Sequence, residues 1–429
     1  MIKVSNLSKV FRTEEIETTA LNGVSFEIKD GEFVAVMGPS GCGKSTLLNI
    51  LGLLDNPTSG SYELLGTEVA NLKEKERTKF RKGNIGFVFQ SFNLIDELNV
   101  YENIELPLRY LNISASERKA KVTDIMKRMA ISHRAGHFPQ QLSGGQQQRV
   151  AIARTLAPEP SVLFMDEPLS NLDAKLRLEM RSELQRLHIE TGSTFVYVTH
   201  DQMEAMTLAT KICLIENGLL QQYEAPLTVY GRPANTFVAD FVGNPAINFI
   251  EAKAEQNGNG SLSLELLDGR MGTFTPETPL QLRDWYFKAD LADAERAEKL
   301  AEKAKQKGYV EKGNKDSVFH YHIAKVNEVE DLGDEPVLTD EDLVLGVRPE
   351  FIEISKYGSI EGEIYSAMPT GMETTVRIRV GEYLLTGVVF GGVLYQIGEK
   401  VRFSFRGEDI VLFSRRNGRL IAQGKLTVK

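Results

Sequence analysis

A glycine-rich stretch, GPSGCGKST, has the residue types needed to bind a phosphate group. It matches the pattern G-x-x-x-x-G-K-[ST], in which glycines let backbone N–H groups wrap a β-phosphate, the lysine adds a positive charge and the hydroxyl is a Mg²⁺ ligand. Because the apolar runs EFVAVMG and STLLNILGLL flank it, the pattern predicts a loop between a strand and a helix; the alternative is a chance turn. The predicted nucleotide-binding residues are Gly38, Pro39, Ser40, Gly41, Cys42, Gly43, Lys44, Ser45 and Thr46.

Two adjacent acids end the short apolar run SVLFMDE. Asp166 suits the coordination sphere of Mg²⁺, together with Ser45 of the loop. Glu167 suits a base that orients an attacking water. Taken alone, the pair is equally consistent with the solvated end of a strand.

Three single residues complete the set of candidates. Gln90 ends the strand-like run GFVFQ and is a candidate ligand of the metal or of the water. His200 ends TFVYVTH and is a candidate hydrogen-bond partner of a γ-phosphate, while Phe11 is a candidate for stacking on adenine. Each of these residue types, taken singly, is more often structural than functional.

A second anion-binding turn lies far downstream of the first. The segment LSGGQQQRVAIAR, Leu142–Arg154, runs from a Ser-Gly-Gly turn into a helix, and the N-terminus of a helix attracts anions. One chain therefore carries two phosphate-type loops, and the nucleotide that the second loop binds has to be identified.

Alternating strands and helices are expected to position these residues. The runs VSFEI, EFVAVMG, SVLFMDE and TFVYVTH indicate buried parallel strands that carry functional groups at their carboxyl ends. Ser114–Glu117 has capping-box spacing and starts a predicted helix whose apolar face holds Val122, Ile125, Met126 and Met129. After about residue 235, strict alternation broken by Asp-Gly and Gly turns predicts a β-barrel. Within it, a charged segment at about 285–310 predicts a solvated helix without chemistry of its own.

The composition is that of a soluble globular protein. The chain has 429 residues, of which 42% are hydrophobic and 25% charged. Its net charge of −9, without a basic cluster, argues against a nucleic-acid partner. The N-terminal sequence lacks the apolar core of a signal peptide, and no apolar run approaches the roughly 18–20 residues of a membrane helix. Cys42 and Cys213 have no disulfide or metal spacing, which fits a reducing cytoplasm.

Taken together and in order, the motifs resemble those of the ATP-binding cassette (ABC) family of transporter ATPases. The order is phosphate loop, Gln90, LSGGQ, Asp166-Glu167, SNLD and His200. The resemblance covers about 1–235 and implies an α/β P-loop NTPase cassette with a helical subdomain at about 90–150. It implies ATP and Mg²⁺ as cofactors, with the metal held by Ser45, Gln90 and Asp166. The catalytic residues it implies are Glu167, His200, Gln90 and Lys44.

The resemblance also assigns the second loop. In this family two cassettes pair head to tail, and LSGGQ of one closes over the ATP held by the phosphate loop of the other. A second copy of this chain is therefore the implied partner. The residues implied to complete the partner's site or to cross the interface are Ser143, Gly144, Gly145, Gln146, Ser170, Asn171, Leu172 and Asp173.

Past the middle, the chain resembles ATPase subunits of sugar and glycerol-phosphate importers. This resemblance rests on EPSVLFMDEPLSNLDAKLR, YVTHDQMEAMTLA, RPANTFVADFVGNPAINF and LVLGVRPE. It implies a β-rich regulatory domain of the oligonucleotide/oligosaccharide-binding (OB) type at about 236–429. It also implies transmembrane permease subunits and an extracytoplasmic solute-binding protein as partners. The expected location is cytoplasmic, peripheral on the inner face of the cell membrane.

The front half resembles a different branch of the family. MGPSGCGKSTLLNILGLLDNPTSG and HRAGHFPQQLSGGQQQR are similar to cassettes of macrolide-efflux, lipoprotein-release and peptide-resistance transporters, and the likeness changes near 150–160. Either the family varies widely, or the chain joins two lineages, naturally or by engineering. We expect an importer, because the tail is a whole domain with a family-specific role; an efflux ATPase is the alternative.

Other ATP-binding classes fit less well. Cassette ATPases of DNA repair insert long coiled coils between the two loops, and those of translation usually come in tandem. A nonenzymatic sensor has no need of Glu167 and His200, which are both present. Cys42 adds one expectation: the loop amides favour its thiolate, so that alkylation blocks nucleotide binding and ATP protects. The alternative is that Cys42 only fills a position for a small residue.

Overall fold

The structure is a computed structural model that describes residues 1–12, 17–307, 319–326 and 337–428, with backbone alone for 296 and 299–307. Residues 308–310, the end of the predicted charged helix, lie outside the described residues. The chain divides into two compact units, Met1–Pro226 and Leu227–Lys429. No helix among the described residues has the length and apolar character needed to cross a membrane.

The first unit alternates strands and helices, as its sequence pattern predicts. In chain order its elements are β1 (Ile2–Arg12), β2 (Glu17–Ile28), β3 (Phe33–Met37), α1 (Lys44–Leu51), β4 (Ser59–Leu64), β5 (Thr67–Glu68), α2 (Glu74–Asn84), β6 (Ile85–Val88), α3 (Val100–Tyr110), α4 (Ala115–Arg128), α5 (Gly144–Leu156), β7 (Val162–Asp166), α6 (Ala174–Thr191), β8 (Thr194–Val198), α7 (Gln202–Leu208), β9 (Lys211–Glu216) and β10 (Leu219–Glu224). Two short 3₁₀ turns, Ser132–Arg134 and Pro139–Gln141, lie between α4 and α5.

The central sheet places the candidate residues at one edge. Its strand order is β10-β9-β3-β8-β7-β6, and the strands from β9 to β6 are parallel. β3 and β8 are buried along their whole length, which explains their continuous apolar sequences. Because parallel strands end at the same edge, the loops after β3, β6, β7 and β8 meet there, and they carry Gly38, Gln90, Glu167 and His200.

The two faces of this sheet bury different partners. Along β7, Phe164 belongs to a core shared with α1 and with the antiparallel sheet β2-β1-β4-β5. Its neighbours Leu163 and Met165 belong to a second core, shared with the helices α3, α4 and α5. The alternation of faces along a strand therefore separates the side that holds the phosphate loop from the helical side.

The predicted helix start at Ser114 is confirmed. The Ser114 hydroxyl accepts a hydrogen bond from the backbone N–H of Glu117 at 3.4 Å and so caps α4. The predicted apolar face is buried in full, at Val122, Ile125, Met126 and Met129. Periodicity and capping together thus positioned this helix correctly.

The second unit is built mainly of antiparallel strands. In chain order its elements are α8 (Pro226–Gly231), α9 (Thr236–Phe241), β11 (Asn248–Gln256), β12 (Leu262–Leu266), β13 (Arg270–Pro276), α10 (Leu282–Lys307), β14 (Asp342–Val347), β15 (Ile352–Ile354), β16 (Ile360–Pro369), β17 (Glu373–Val380), β18 (Tyr383–Phe390), β19 (Lys400–Phe405), β20 (Ile410–Ser414) and β21 (Leu420–Val428). Strands β11-β12-β13-β21-β20-β14 close into a barrel, and β15-β19-β16-β17-β18 form a second sheet. The predicted β-rich, barrel-containing region is thereby confirmed.

The charged helix α10 is less solvated than its sequence predicts. Leu282 and Tyr286 are buried, and the Tyr286 hydroxyl donates a hydrogen bond to Ser414 Oγ at 3.0 Å. Arg416 and Arg419 pair with Asp290 and Asp293 of the helix. The prediction of a solvated helix at about 285–310 is wrong at Tyr286, whereas the described side chains from 287 onward are exposed or half-buried, as predicted.

Candidate functional site

The loop between β3 and α1 has the shape of a phosphate cradle. Gly38 and Gly43 have φ values of +150° and +104°. A Cβ at Gly38 would lie 2.0 Å from the carbonyl oxygen of Ile215, and one at Gly43 would lie 2.3 Å from that of Ala20. Both positions therefore require glycine, since a side chain has neither the conformation nor the space.

Lys44, the first residue of α1, is buried beneath this loop. Its Nζ donates hydrogen bonds to the carbonyl oxygens of Gly38 at 3.0 Å and Pro39 at 2.8 Å. The first turn of α1 contains no acidic side chain. A positive helix end, a buried lysine and a glycine-lined loop fit the phosphate groups of a nucleotide.

The acid pair lies where β7 ends. Burial raises the pKa of Asp166, and the charge of Glu167 raises it further, while Lys44 opposes the shift. Glu167 has a left-handed φ of +42°, and its N–H donates to the carbonyl oxygen of Val198 at 3.0 Å. Such a conformation is uncommon for a residue with a side chain, and it is one feature that active-site residues share with residues in tight turns.

His200 lies beside Glu167. Its Nδ1 is 3.3 Å from Oε2 of Glu167, and its side chain is 60% exposed, against 24% for Glu167. The structure thus brings together two of the predicted catalytic residues from different strand ends. An exposed imidazole beside a partly buried carboxylate leaves the ring accessible to a ligand.

Gln90 is tied to the residues that follow Glu167. Its Nε2 donates to Ser170 Oγ at 3.3 Å, and that hydroxyl donates to the carbonyl oxygen of Glu167 at 2.8 Å. Asn171 Nδ2 donates to the carbonyl oxygen of Gln90 at 3.1 Å. The loop after β6 and the SNLD segment after β7 are therefore one hydrogen-bonded unit.

The oxygen donors at this edge suit magnesium. Among the described residues, no group of three or more His, Cys, Asp or Glu side chains is placed to hold a metal ion by itself. The predicted set Ser45, Gln90 and Asp166 offers a hydroxyl, an amide and one carboxylate. Mg²⁺ prefers oxygen ligands and is usually bound by one or two carboxylates plus substrate phosphates and waters, so this set fits it.

The second predicted loop opens helix α5. Ser143 N–H donates to Oε1 of Gln146 at 3.1 Å, which stabilises the first turn, and residues Ser143 and Gly144 are exposed. Gly145 is buried, and a Cβ there would lie 2.4 Å from Cδ2 of Leu176 in the first turn of α6. Helix α5, which begins within the LSGGQ signature and is called the signature helix below, is therefore packed closely against α6, with its N-terminal end facing outward.

Two further residues predicted to contact the nucleotide, Asp173 and Phe11, lie beside other groups of the protein in the structure. Asp173 caps α6, because its Oδ1 accepts from the N–H of Leu176 at 2.9 Å. Phe11 is 46% exposed, with Nζ of Lys9 lying 5.0 Å from its ring centroid. Phe11 is thus not a core residue, and its ring is open to stacking.

The expectation of a Cys42 thiolate is wrong. Burial raises the pKa of the Cys42 thiol, and the opposing effect of the Lys44 charge is smaller. The side chain is only 4% exposed and packs into the core beneath the phosphate loop. The alternative role, filling a position for a small residue, agrees with this geometry.

We expect slow alkylation of Cys42 in the folded protein. Its raised pKa keeps the neutral thiol dominant at pH 7, and the thiolate appears only at higher pH. Maleimide labelling of a Cys213→Ser variant, folded and in urea, measures this by mass spectrometry. Labelling that is as fast in the folded protein as in urea would contradict the buried position.

Residues that fix the segments on either side of His200 were missed in the sequence. Asp201 caps α7 through the N–H of Met203 at 2.8 Å and pairs with Arg177 at 3.4 Å. Glu204, which is buried, accepts hydrogen bonds from Tyr197 Oη at 2.8 Å and Thr199 Oγ1 at 2.7 Å. The D-x-x-E spacing after His200 was a detectable capping signal; the pairing with Arg177 had none.

Comparison with known proteins shows which family and which relatives this chain is similar to. Residues 21–170 match the family model described as ABC transporter. A spermidine/putrescine import ATP-binding protein of Mesorhizobium japonicum is 44% identical over 268 residues, 62% of this chain and 71% of the relative. A trehalose/maltose import ATP-binding protein of Thermococcus litoralis is 41% identical over 269 residues, which are 62% of this chain and 71% of that relative. An sn-glycerol-3-phosphate import ATP-binding protein of Agrobacterium fabrum is 42% identical over 267 residues, which are 62% of this chain and 69% of that relative.

A solved structure described as a dimeric bacterial ABC transporter cassette is also similar. It is 43% identical in sequence, and the match covers 53% of this chain and 99% of that one with a TM-score of 0.49.

Proposed function

Because this chain belongs to the ABC transporter family of ATP-binding proteins, we propose that it hydrolyses ATP to energise solute uptake through a separate membrane permease. One observation carries the enzymatic part of the proposal. A phosphate cradle, Asp166, and Glu167 with His200 at 3.3 Å all lie at one edge of a single parallel sheet. Phosphoryl transfer needs positioning and charge neutralisation more than covalent chemistry, and this edge supplies both.

In this proposal each residue has one task. The backbone of Gly38–Thr46 and Lys44 bind the phosphates, and Phe11 stacks on the adenine. Ser45, Gln90 and Asp166 would hold Mg²⁺, which neutralises charge on the β- and γ-phosphates. Glu167 orients the attacking water and accepts its proton, and His200 contacts the γ-phosphate.

The outward-facing signature supports a shared site. Ser143 and Gly144 are exposed at the positive end of α5. We propose that Ser143, Gly144, Gly145 and Gln146 close over the ATP of a second copy, and that Ser170–Asp173 crosses the same interface. ATP then favours the closed pair, and its hydrolysis releases it.

The domain assignment follows the same reasoning. We propose that the cassette covers about 1–235, with the helical subdomain at about 90–150, and that 236–429 form the OB-type regulatory domain with the inserted helix α10. The two compact units divide slightly earlier, after Pro226, so that most of α8 lies in the second unit. We propose a peripheral location on the inner face of the cell membrane, with permease subunits and an extracytoplasmic solute-binding protein as partners.

The transported solute is proposed to be a carbohydrate or a glycerol-phosphate-type compound. Two of the relatives named above are import proteins for such solutes, and the third imports polyamines. All three are import subunits, so nothing in them favours the efflux alternative or a join of two lineages.

Co-purification of membrane subunits tests this function. The Glu167→Gln chain, incubated with Mg²⁺-ATP and detergent-solubilised membranes of the native source, is expected to retain importer-type permeases more strongly than it does without nucleotide. Lys44→Ala is the matched control, because it weakens nucleotide binding. Recovery of a lipoprotein- or peptide-type permease would contradict the import function.

A further inference from the structure

Arg154 joins the signature helix to the loop that follows Gln90. It lies in the last turn of α5 and is half-buried. Its Nη1 donates to the carbonyl oxygen of Asn93 at 2.6 Å, and its Nη2 donates to that of Phe92 at 2.9 Å. One planar guanidinium therefore binds two consecutive carbonyls through two separate nitrogens of a rigid fork, and a lysine at this position offers a single nitrogen on a more flexible stem.

The two residues held by Arg154 have an unfavourable backbone conformation. Phe92 and Asn93 have φ values of +62° and +49°. Asparagine tolerates this left-handed region, whereas a bulky residue such as phenylalanine rarely adopts it. Such a conformation persists only where the surroundings enforce it, and the Arg154 hydrogen bonds act directly on its carbonyls.

The clamped turn continues directly from Gln90. Phe92 N–H donates to the carbonyl oxygen of Phe89 at 3.2 Å, so Gln90 is one of the two central residues of a four-residue turn that ends at Phe92. On its other side, Gln90 is bonded to Ser170 and Asn171, next to Glu167. The position of Gln90 is thus determined from two directions, by the SNLD segment and by Arg154.

We propose that Arg154 is a positioning residue for Gln90, and that it makes the place of Gln90 depend on the place of the signature helix of the same chain. This inference rests on the proposed function. α5 begins within the LSGGQ motif and carries Arg154 in its last turn, so a movement of α5 on engaging the partner's ATP is passed to the turn after Gln90. Each copy would thereby adjust its own metal and water ligand to the nucleotide of the other.

Arg154→Lys tests the inference. We expect kcat for ATP to fall by roughly 10- to 100-fold, as for other losses of alignment, with KM nearly unchanged and reduced cooperativity in ATP. Arg118→Lys is the matched control: Arg118 is a half-buried arginine of α4, and its Nη1 donates to the carbonyl oxygen of Ile113 at 2.7 Å. Arg118→Lys is expected to keep kcat within about twofold, because Ile113 and its other partner, Glu105, lie outside both α5 and the loop after Gln90.

A double-mutant cycle separates positioning from general damage. In a Gln90→Ala background, Arg154→Lys should cost less than about twofold, because the residue on which it acts is gone.

The outcomes are distinct. An equal loss of kcat with and without Gln90, or a rise in KM alone, would overturn the inference. Failure of the proposed function is recognised separately, because wild type and Glu167→Gln would then release phosphate at the same rate.

Discussion

Glu167→Gln is expected to slow phosphate release by roughly 10²–10⁴-fold while ATP still binds. The substitution keeps the size of the side chain and removes the carboxylate that accepts a proton from water. Lys44 and the glycine loop, which bind the phosphates in our proposal, are unchanged. Phosphate release at saturating Mg²⁺-ATP, with ATP binding measured by equilibrium dialysis, gives both quantities.

Glu159→Gln provides a control of the same chemistry. Glu159 is also a glutamate with a left-handed backbone, at φ +57°, but it is exposed and pairs with Lys121 at 2.8 Å. Its replacement is expected to leave the rate within about twofold, as for most surface changes. If Glu167→Gln were as active as Glu159→Gln, Glu167 would have no role as the base.

The location of the site could be predicted from the sequence because two independent signals agree: the apolar runs that indicate buried parallel strands, and the functional residue types that directly follow those runs. Buried parallel strands appear as short continuous apolar runs, and their carboxyl ends must lie at one edge of the sheet. Gln90, Asp166 and His200 each follow such a run, and the glycine pattern at Gly38 follows another. Strand type and position alone therefore bring these groups together without any knowledge of side-chain contacts.

The contacts around the site were not accessible in the same way. The bonds from Arg154 to the turn after Gln90, and from Arg177 to Asp201, join segments far apart in the chain whose approach depends on helix packing. The thiol of Cys42 was misjudged because its sequence neighbours suggest exposed amides, whereas the fold buries it. Motifs identify the reacting groups; tertiary packing decides their environment.

Two inactive variants are expected to restore activity to each other when mixed. Lys44→Ala removes the buried donor of the phosphate loop, and Ser143→Arg places a bulky cation at the exposed end of α5. In a mixed pair, the intact phosphate loop of the Ser143→Arg chain faces the intact signature of the Lys44→Ala chain. One complete site forms, so the mixture should release phosphate faster than the two variants measured separately.

A chain carrying both substitutions is the control for this mixing experiment. Mixed with Lys44→Ala, it offers no intact phosphate loop, so no recovery is expected although subunits exchange in the same way. If each site were complete within a single chain, the first mixture would also stay inactive, because neither variant contains both Lys44 and Ser143. Recovery in the first mixture alone therefore requires that one copy completes the catalytic site of the other, which is why a chain with one nucleotide pocket needs two phosphate-type loops.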